Sequence, residues 1–236
     1  MAYRKLAFFV EGYTEQQFVK KLLIEIFGEK QISIKIDEIK GGKTIAIKYT
    51  TIITPQVSDE TQYYVLIYNC NGDSKIKSYI LDRRESLIKA GYEKIIGLRD
   101  IFPDFTRDDI QEVIKGLNYK LPQKELPIIF VLSIMEIESW FLAEENHFKK
   151  IDQKLTSDFI SKKFNFNPSI DDSQLIDKSA ETLKEIYKSV GKTYKKEKYY
   201  IDRTIDSIDF ANIYFNVQQR INSLENLILE FEEIFK

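Results

Sequence analysis

Three apolar runs in this chain stop at carboxylates. Lys5–Val10 gives way to Glu11 in "KLAFFVEG", "EKIIGLRD" finishes on Asp100, and Ile128–Leu132 leads to Glu136 and Glu138 in "IIFVLSIMEIESW". Acids brought together at strand ends repel one another, and a divalent cation relieves that repulsion at least cost. Mg2+ suits the role, with Mn2+ as its substitute, because it is hard, prefers oxygen ligands and keeps several waters, so a few carboxylates suffice. Such a site stabilises charge on a phosphate during in-line displacement and lowers the pKa of a bound water. Phosphodiester chemistry is the natural substrate class. Histidine-based chemistry is disfavoured, since zinc sites and serine triads draw on histidine and His147 stands alone.

Each acid also has a plainer reading. Glu11 could be a solvated strand end, and Asp100 could cap the turn that holds Pro103. Ser133 lies three residues before Glu136, a capping-box spacing. If the segment is extended, Glu136 and Glu138 share a face; if it is helical they point about 200° apart.

The elements that must position these acids follow from period and punctuation. "KLAFFV" reads as a buried strand, and Thr14 with Gln17 has the spacing to cap a helix carrying Phe18, Leu22 and Ile26. "ISIKI" (Ile32–Ile36) alternates as a strand, "YYVLIY" (Tyr63–Tyr68) is another, and residues 74–90 read as a helix stopped by Gly91. "EKIIGLRD" is a strand, 108–117 a helix, and "LPIIFVLSIMEIESWFLAEE" a strand running into a helix anchored by Trp140. Strands alternating with helices predict an α/β fold, a mostly parallel sheet covered on both faces. Ligands of such sheets bind beyond the carboxyl ends of the strands. The division expected is an α/β core over 1–146 and a mainly helical region over 147–236. Its last helix carries a stripe of Val217, Ile221, Leu224, Ile228 and Phe231, so residues 205–236 read as a helical appendage.

"FFVEGYTEQQFVKKLL" resembles the first motif of the TOPRIM domain, the catalytic fold shared by topoisomerases, primases, OLD nucleases and small ribonucleases. Its "TE..FV" is typical of small bacterial TOPRIM-like proteins, many tied to phage defence. "KIIGLRD" resembles the second motif, "IMEIESWFLAE" the third, and "GKTYKK" followed by "SIDF" a weaker C-terminal pattern. The resemblance implies a TOPRIM-like core and a metal-dependent nuclease acting on DNA or RNA, with a defence or toxin role and a partner ATPase as further implications. Residue by residue, Glu11 matches the glutamate assigned to metal binding or acid–base work. Asp100 matches the first aspartate of an Asp-x-Asp motif, whose second position here is Phe102. Asp104 is the candidate replacement. Glu136 and Glu138 match the paired acids of the third motif. The implied catalytic set is Glu11, Asp100 and Glu138, with Asp104 and Glu136 as further metal ligands. The departure at Phe102 keeps a rival open: a noncatalytic TOPRIM-like subunit that binds nucleic acid or a partner ATPase.

"KEIYKSVGKTYKKEKYY" holds six lysines and four tyrosines. Lysines suit phosphate contacts and tyrosines can stack on unpaired bases, although a lysine-rich stretch is commonly a solvated face. Lys192, Tyr194 and Lys195 are the first candidates for nucleic-acid contact, with Arg99 and Lys43 beside them. "GGKT" at 41–44 is not a phosphate-binding loop, because Asp37 stands where that pattern needs glycine.

Thirty-five basic against 37 acidic residues leave a net charge of −2, so affinity for nucleic acid must come from local patches. With 43% hydrophobic and 31% charged residues the chain is ordinarily globular. Its apolar runs fall short of the roughly 20 residues of a membrane span. The absence of a secretory pattern and a single cysteine, Cys70, point to the cytoplasm.

Overall fold

The computed structural model of the protein describes residues 3–41, 46–72 and 75–235. They form two compact units. One comprises Met1–Arg99, Gln111–Leu132 and Phe231–Lys236; the other comprises Asp100–Ile110 and Ser133–Glu230.

The first unit is an α/β sheet built as the alternation of strand and helix predicts. Its elements are β1 (Arg4–Val10), α1 (Tyr13–Phe27), β2 (Ile32–Lys40), β3 (Lys48–Ile53), β4 (Tyr63–Asn69), α2 (Ile76–Lys89), β5 (Lys94–Asp100), α3 (Ile110–Asn118) and β6 (Ile128–Ser133). The strand order is β3-β2-β4-β1-β5-β6. β1 runs parallel to β4 and β5, β2 runs parallel to β4, and only the β2–β3 pairing is antiparallel among the registers of β1 to β4.

Near-continuous apolar strands are what a sheet buried on both faces needs. Along β1, Ala7 and Phe9 join a cluster with Leu66, Tyr68 and Ile95 of the neighbouring strands and Ile76, Tyr79 and Ile80 of α2. Leu6, Phe8 and Val10 point the other way, and there Phe8 meets Phe231 edge-on at 5.3 Å. α1 lies against β2 and β4 and buries Phe18, Val19, Leu22 and Leu23.

Several boundaries differ from expectation. α1 starts one residue before Thr14, and its first turn is closed by Glu15, whose Oε2 accepts the Gly12 N–H at 2.8 Å. Gln17 has no part in that cap. β2 runs on to Lys40 because Asp37, buried in mid-strand, is held by Lys35 Nζ at 2.8 Å and by the Thr51 hydroxyl at 2.8 Å. β3 was not expected: "KYTTII" is a mostly exposed edge strand without apolar alternation.

The second unit is helical, with α4 (Glu138–Ala143), α5 (Asn146–Ile151), α6 (Ser157–Phe164), α7 (Ser179–Lys188), α8 (Lys198–Ser207), α9 (Phe210–Phe215) and α10 (Asn222–Phe235) as far as Glu230, the residues from Phe231 on belonging to the first unit. α4 packs on α7 and α5 on α8. Trp140 is fully buried and its Nε1 donates to Ser223 Oγ at 2.8 Å, which makes it the anchor expected. The C-terminal stripe is distributed over more than one helix. A 3-10 turn spans Val217–Gln219 and α10 begins only at Asn222, so Val217 and Ile221 are buried ahead of the helix they were expected to join. Among the described residues no helix is long and apolar enough to cross a membrane.

Candidate functional site

Asp100, the last residue of β5, is 1% exposed. Its Oδ1 accepts the Ser133 hydroxyl and, at 3.1 Å, the Ile137 N–H just before α4. A carboxylate from another strand therefore closes the entry to this helix, where N–H groups lack intrahelical partners. Ser133 is engaged by Asp100, so no capping box forms between Ser133 and Glu136. Between them Met135 adopts a φ of 65°, sparsely populated for a residue with a side chain, and its carbonyl accepts the Phe102 N–H at 2.8 Å. Strained turns of this kind persist where the surroundings over-determine them, and they cluster at working sites.

That turn sets Glu136 and Glu138 outside both regular geometries considered for them, and their side chains converge on one cation. Lys196 Nζ lies 3.3 Å from Glu136 Oε1 and 3.5 Å from Glu138 Oε1. Glu138 Oε1 also accepts the Tyr194 hydroxyl at 2.7 Å, while Glu136 Oε2 accepts the Ala180 N–H at 2.9 Å in the first turn of α7. Glu138 is wholly buried, and its Oε2 has no hydrogen-bond partner. Burial pushes its carboxyl above the ordinary glutamate range; Lys196 and the Tyr194 hydroxyl oppose that shift and Glu136 adds to it.

A second buried glutamate in the same unit supplies the contrast. Glu144, at the end of α4, accepts N–H groups from Asn146 at 2.9 Å, His147 at 2.9 Å and Asp209 at 3.2 Å, and the Asn212 amide at 2.8 Å. Burial acts to raise its pKa, yet His147, Asn212 and the Asn146 N–H together hold it below the usual range. Glu144 is a satisfied structural anion, whereas Glu138 is not.

Glu11 follows β1 in the first unit and is half-buried; its carbonyl accepts the Gly72 N–H at 2.9 Å, and its charge adds to the burial that raises the neighbouring Cys70 thiol. Arg99 belongs to the first unit and is half-buried, Asp104 is exposed beyond β5, and Lys192 and Lys195 are exposed. Lys195 sits 3.7 Å from Glu197. Lys43 lies outside the described residues. Tyr194 departs from the expected nucleic-acid contact: at 2% exposure, with its hydroxyl on Glu138, it belongs to the carboxylate site and presents no face for base stacking. Lys196 was passed over in the sequence, where it is the second lysine of a run, and only the fold distinguishes it from Lys195.

Beside the same turn a cleft of about 370 Å3 is lined by Phe102, Phe105, Arg107, Met135, Asp177 and Lys178, among others. Arg107 is tied to Asp177 at 2.9 Å. Phe102, in the position where a second aspartate was expected, forms part of an aromatic wall.

Over residues 10–214 the sequence matches the family described as Domain of unknown function (DUF4276). The chain belongs to that family. No curated protein matches it. A solved structure of a candidate cell surface hydrolase from Lactobacillus plantarum WCFS1 has 14% sequence identity and a TM-score of 0.34, over 59% of this chain and 58% of that one. So slight a likeness carries no argument.

What this DUF4276 chain offers a metal follows from its donors. Among the described residues no group of three or more His, Cys, Asp or Glu stands together to hold an ion, so an all-protein cage does not fit. The paired Glu136 and Glu138, with one buried oxygen unbonded, do fit a hydrated Mg2+, which binds through one or two carboxylates and keeps its remaining waters.

Proposed function

We propose that this protein is a Mg2+-dependent nuclease that hydrolyses phosphodiester bonds of DNA or RNA. The observation that carries the reading is the buried Glu138, paired with Glu136 on one cationic group and left with an unbonded oxygen. Buried acids with a raised affinity for a proton and incomplete hydrogen bonding concentrate at functional sites. A hydrated metal held by Glu136 and Glu138 would supply Lewis-acid stabilisation of phosphate charge. Asp100 positions the turn that presents both glutamates. Glu138, its affinity for a proton raised by burial, is suited to accept or return one at its carboxylate. Exposed Lys192 and Lys195 would meet phosphates, and Phe102, in the lining of the cleft, would be the aromatic neighbour of an unpaired base. Glu11 enters on its resemblance to the TOPRIM first motif, as do a role in phage defence and a partner ATPase.

Cleavage of DNA and RNA oligonucleotides with Mg2+ and with EDTA tests the proposal. Glu11→Gln, Asp100→Asn and Glu138→Gln are each expected to lose about a hundredfold or more of the activity. A second reading, a noncatalytic binding subunit, is favoured by Phe102 in the second motif and by the lysine that balances the acid pair. Oligonucleotide binding without metal-dependent cleavage of any substrate would decide for it.

A further inference from the structure

Lys196 is the unexpected member of the carboxylate site. Its ammonium stands 3.3 Å from Glu136 Oε1 and 3.5 Å from Glu138 Oε1. Its side chain is 49% exposed, while the two glutamates are buried. The pair's compensating charge therefore arrives on a long, flexible stem from the solvent side. Lysine is suited to such a role: it carries a compact point charge with rotatable donors, and an exposed stem lets it return to water at small cost. Its grip on Glu138 is incomplete, because the ammonium and the Tyr194 hydroxyl both address Oε1 and Oε2 is left bare. A divalent ion that brought its own waters would satisfy both oxygens.

We infer that Lys196 is the resident cation of the Glu136/Glu138 pair, and that a divalent metal enters by displacing it, so that Lys196 sets the metal affinity of the site. The inference rests on the metal-dependent reading proposed above. A single positive charge at this distance from two buried carboxyl groups opposes a second cation in a low-dielectric pocket. Tyr194 stays in place, since its hydroxyl holds Glu138 whichever cation is present.

The test is calorimetric titration of MnCl2 alone into EDTA-stripped full-length protein, comparing wild type with Lys196→Met and Lys196→Arg. Lys196→Met is expected to bind Mn2+ about tenfold tighter than wild type or better, and Lys196→Arg, which keeps the charge, no tighter than wild type. A second measurement needs no variant: the rate of Lys196 acetylation by an amine-reactive ester, read by peptide mass spectrometry, is expected to rise several-fold when Mn2+ is added. Equal affinities in wild type and Lys196→Met, or a labelling rate indifferent to Mn2+, overturn the displacement and leave the metal reading standing. Absence of Mn2+ binding to all three proteins overturns both.

Discussion

Glu138 and Glu144 lie six residues apart, equally hidden from solvent, and burial has opposite outcomes for them. Four donors converge on Glu144, so its ionised form is favoured and it behaves as a structural anion. Glu138 has one hydroxyl, a lysine at 3.5 Å and a bare oxygen, so its protonated form gains. An acid whose pKa is raised by folding contributes stability that is complete below the ordinary glutamate range and is lost as pH climbs through the folded value. Glu138→Gln is accordingly expected to melt with wild type below about pH 4 and to be the more stable of the two near pH 8, in EDTA. Thermal melts across that range check it, and a variant less stable at pH 8 than at pH 4 relative to wild type contradicts it. A more stable yet inactive Glu138→Gln would also show that lost cleavage is not lost folding. At this scale the sequence placed Asp100, Glu136 and Glu138 beside strand ends, and the structure has them there, Asp100 closing β5 and the two glutamates following β6. The sequence was not legible for Lys196 and Tyr194, whose roles depend on contacts across roughly 60 residues of chain and carry no local pattern.

Among elements, those with a period were recovered and those defined by partners were not. β1, β4 and β5 were read closely because a strand buried on both faces has to be continuously apolar. β3 exists because β2 offers it an edge, and its own residues announce little. α4 begins where Asp100 reaches in from β5, so its start has no local capping signal. Gly97 belongs to this scale. In β5 it allows the strand to approach β6 and α2: a Cβ there would lie 2.6 Å from Phe130 Cε1 and 3.1 Å from Ile80 Cδ1. Gly97→Ala should cost about 1–3 kcal/mol, since Phe130, only half-buried, can yield in part, and Gly97→Val should cost more. Urea unfolding is the measurement, with a lower midpoint at unchanged m-value; an unchanged midpoint for both variants would mean that the ring moves aside freely.

For the molecule as a whole, the α/β sheet was readable as a class, while the make-up of the helical unit was less so. Its helices from α4 to α9 are only six to ten residues long, too short for a stripe to repeat often. It also recruits Asp100–Ile110, a segment that stands between two stretches of the sheet unit. Charge has the same character at this scale: a net −2 offers a polyanion no general attraction, so any grip on nucleic acid must be local. The exposed lysines ahead of α8 are the patch that remains once Tyr194 and Lys196 are assigned to the carboxylates. The pairing of Lys195 with Glu197 is a surface ion pair, weak enough to exchange for a phosphate. Each phosphate contact on a single strand contributes about 0.7 to the slope of log K against log salt. Lys192→Ala with Lys195→Ala should therefore flatten that slope by about 1.4, with little dependence on oligonucleotide sequence, as read by fluorescence anisotropy from 50 to 200 mM NaCl. A slope untouched by the double substitution would move the nucleic-acid contact away from this segment.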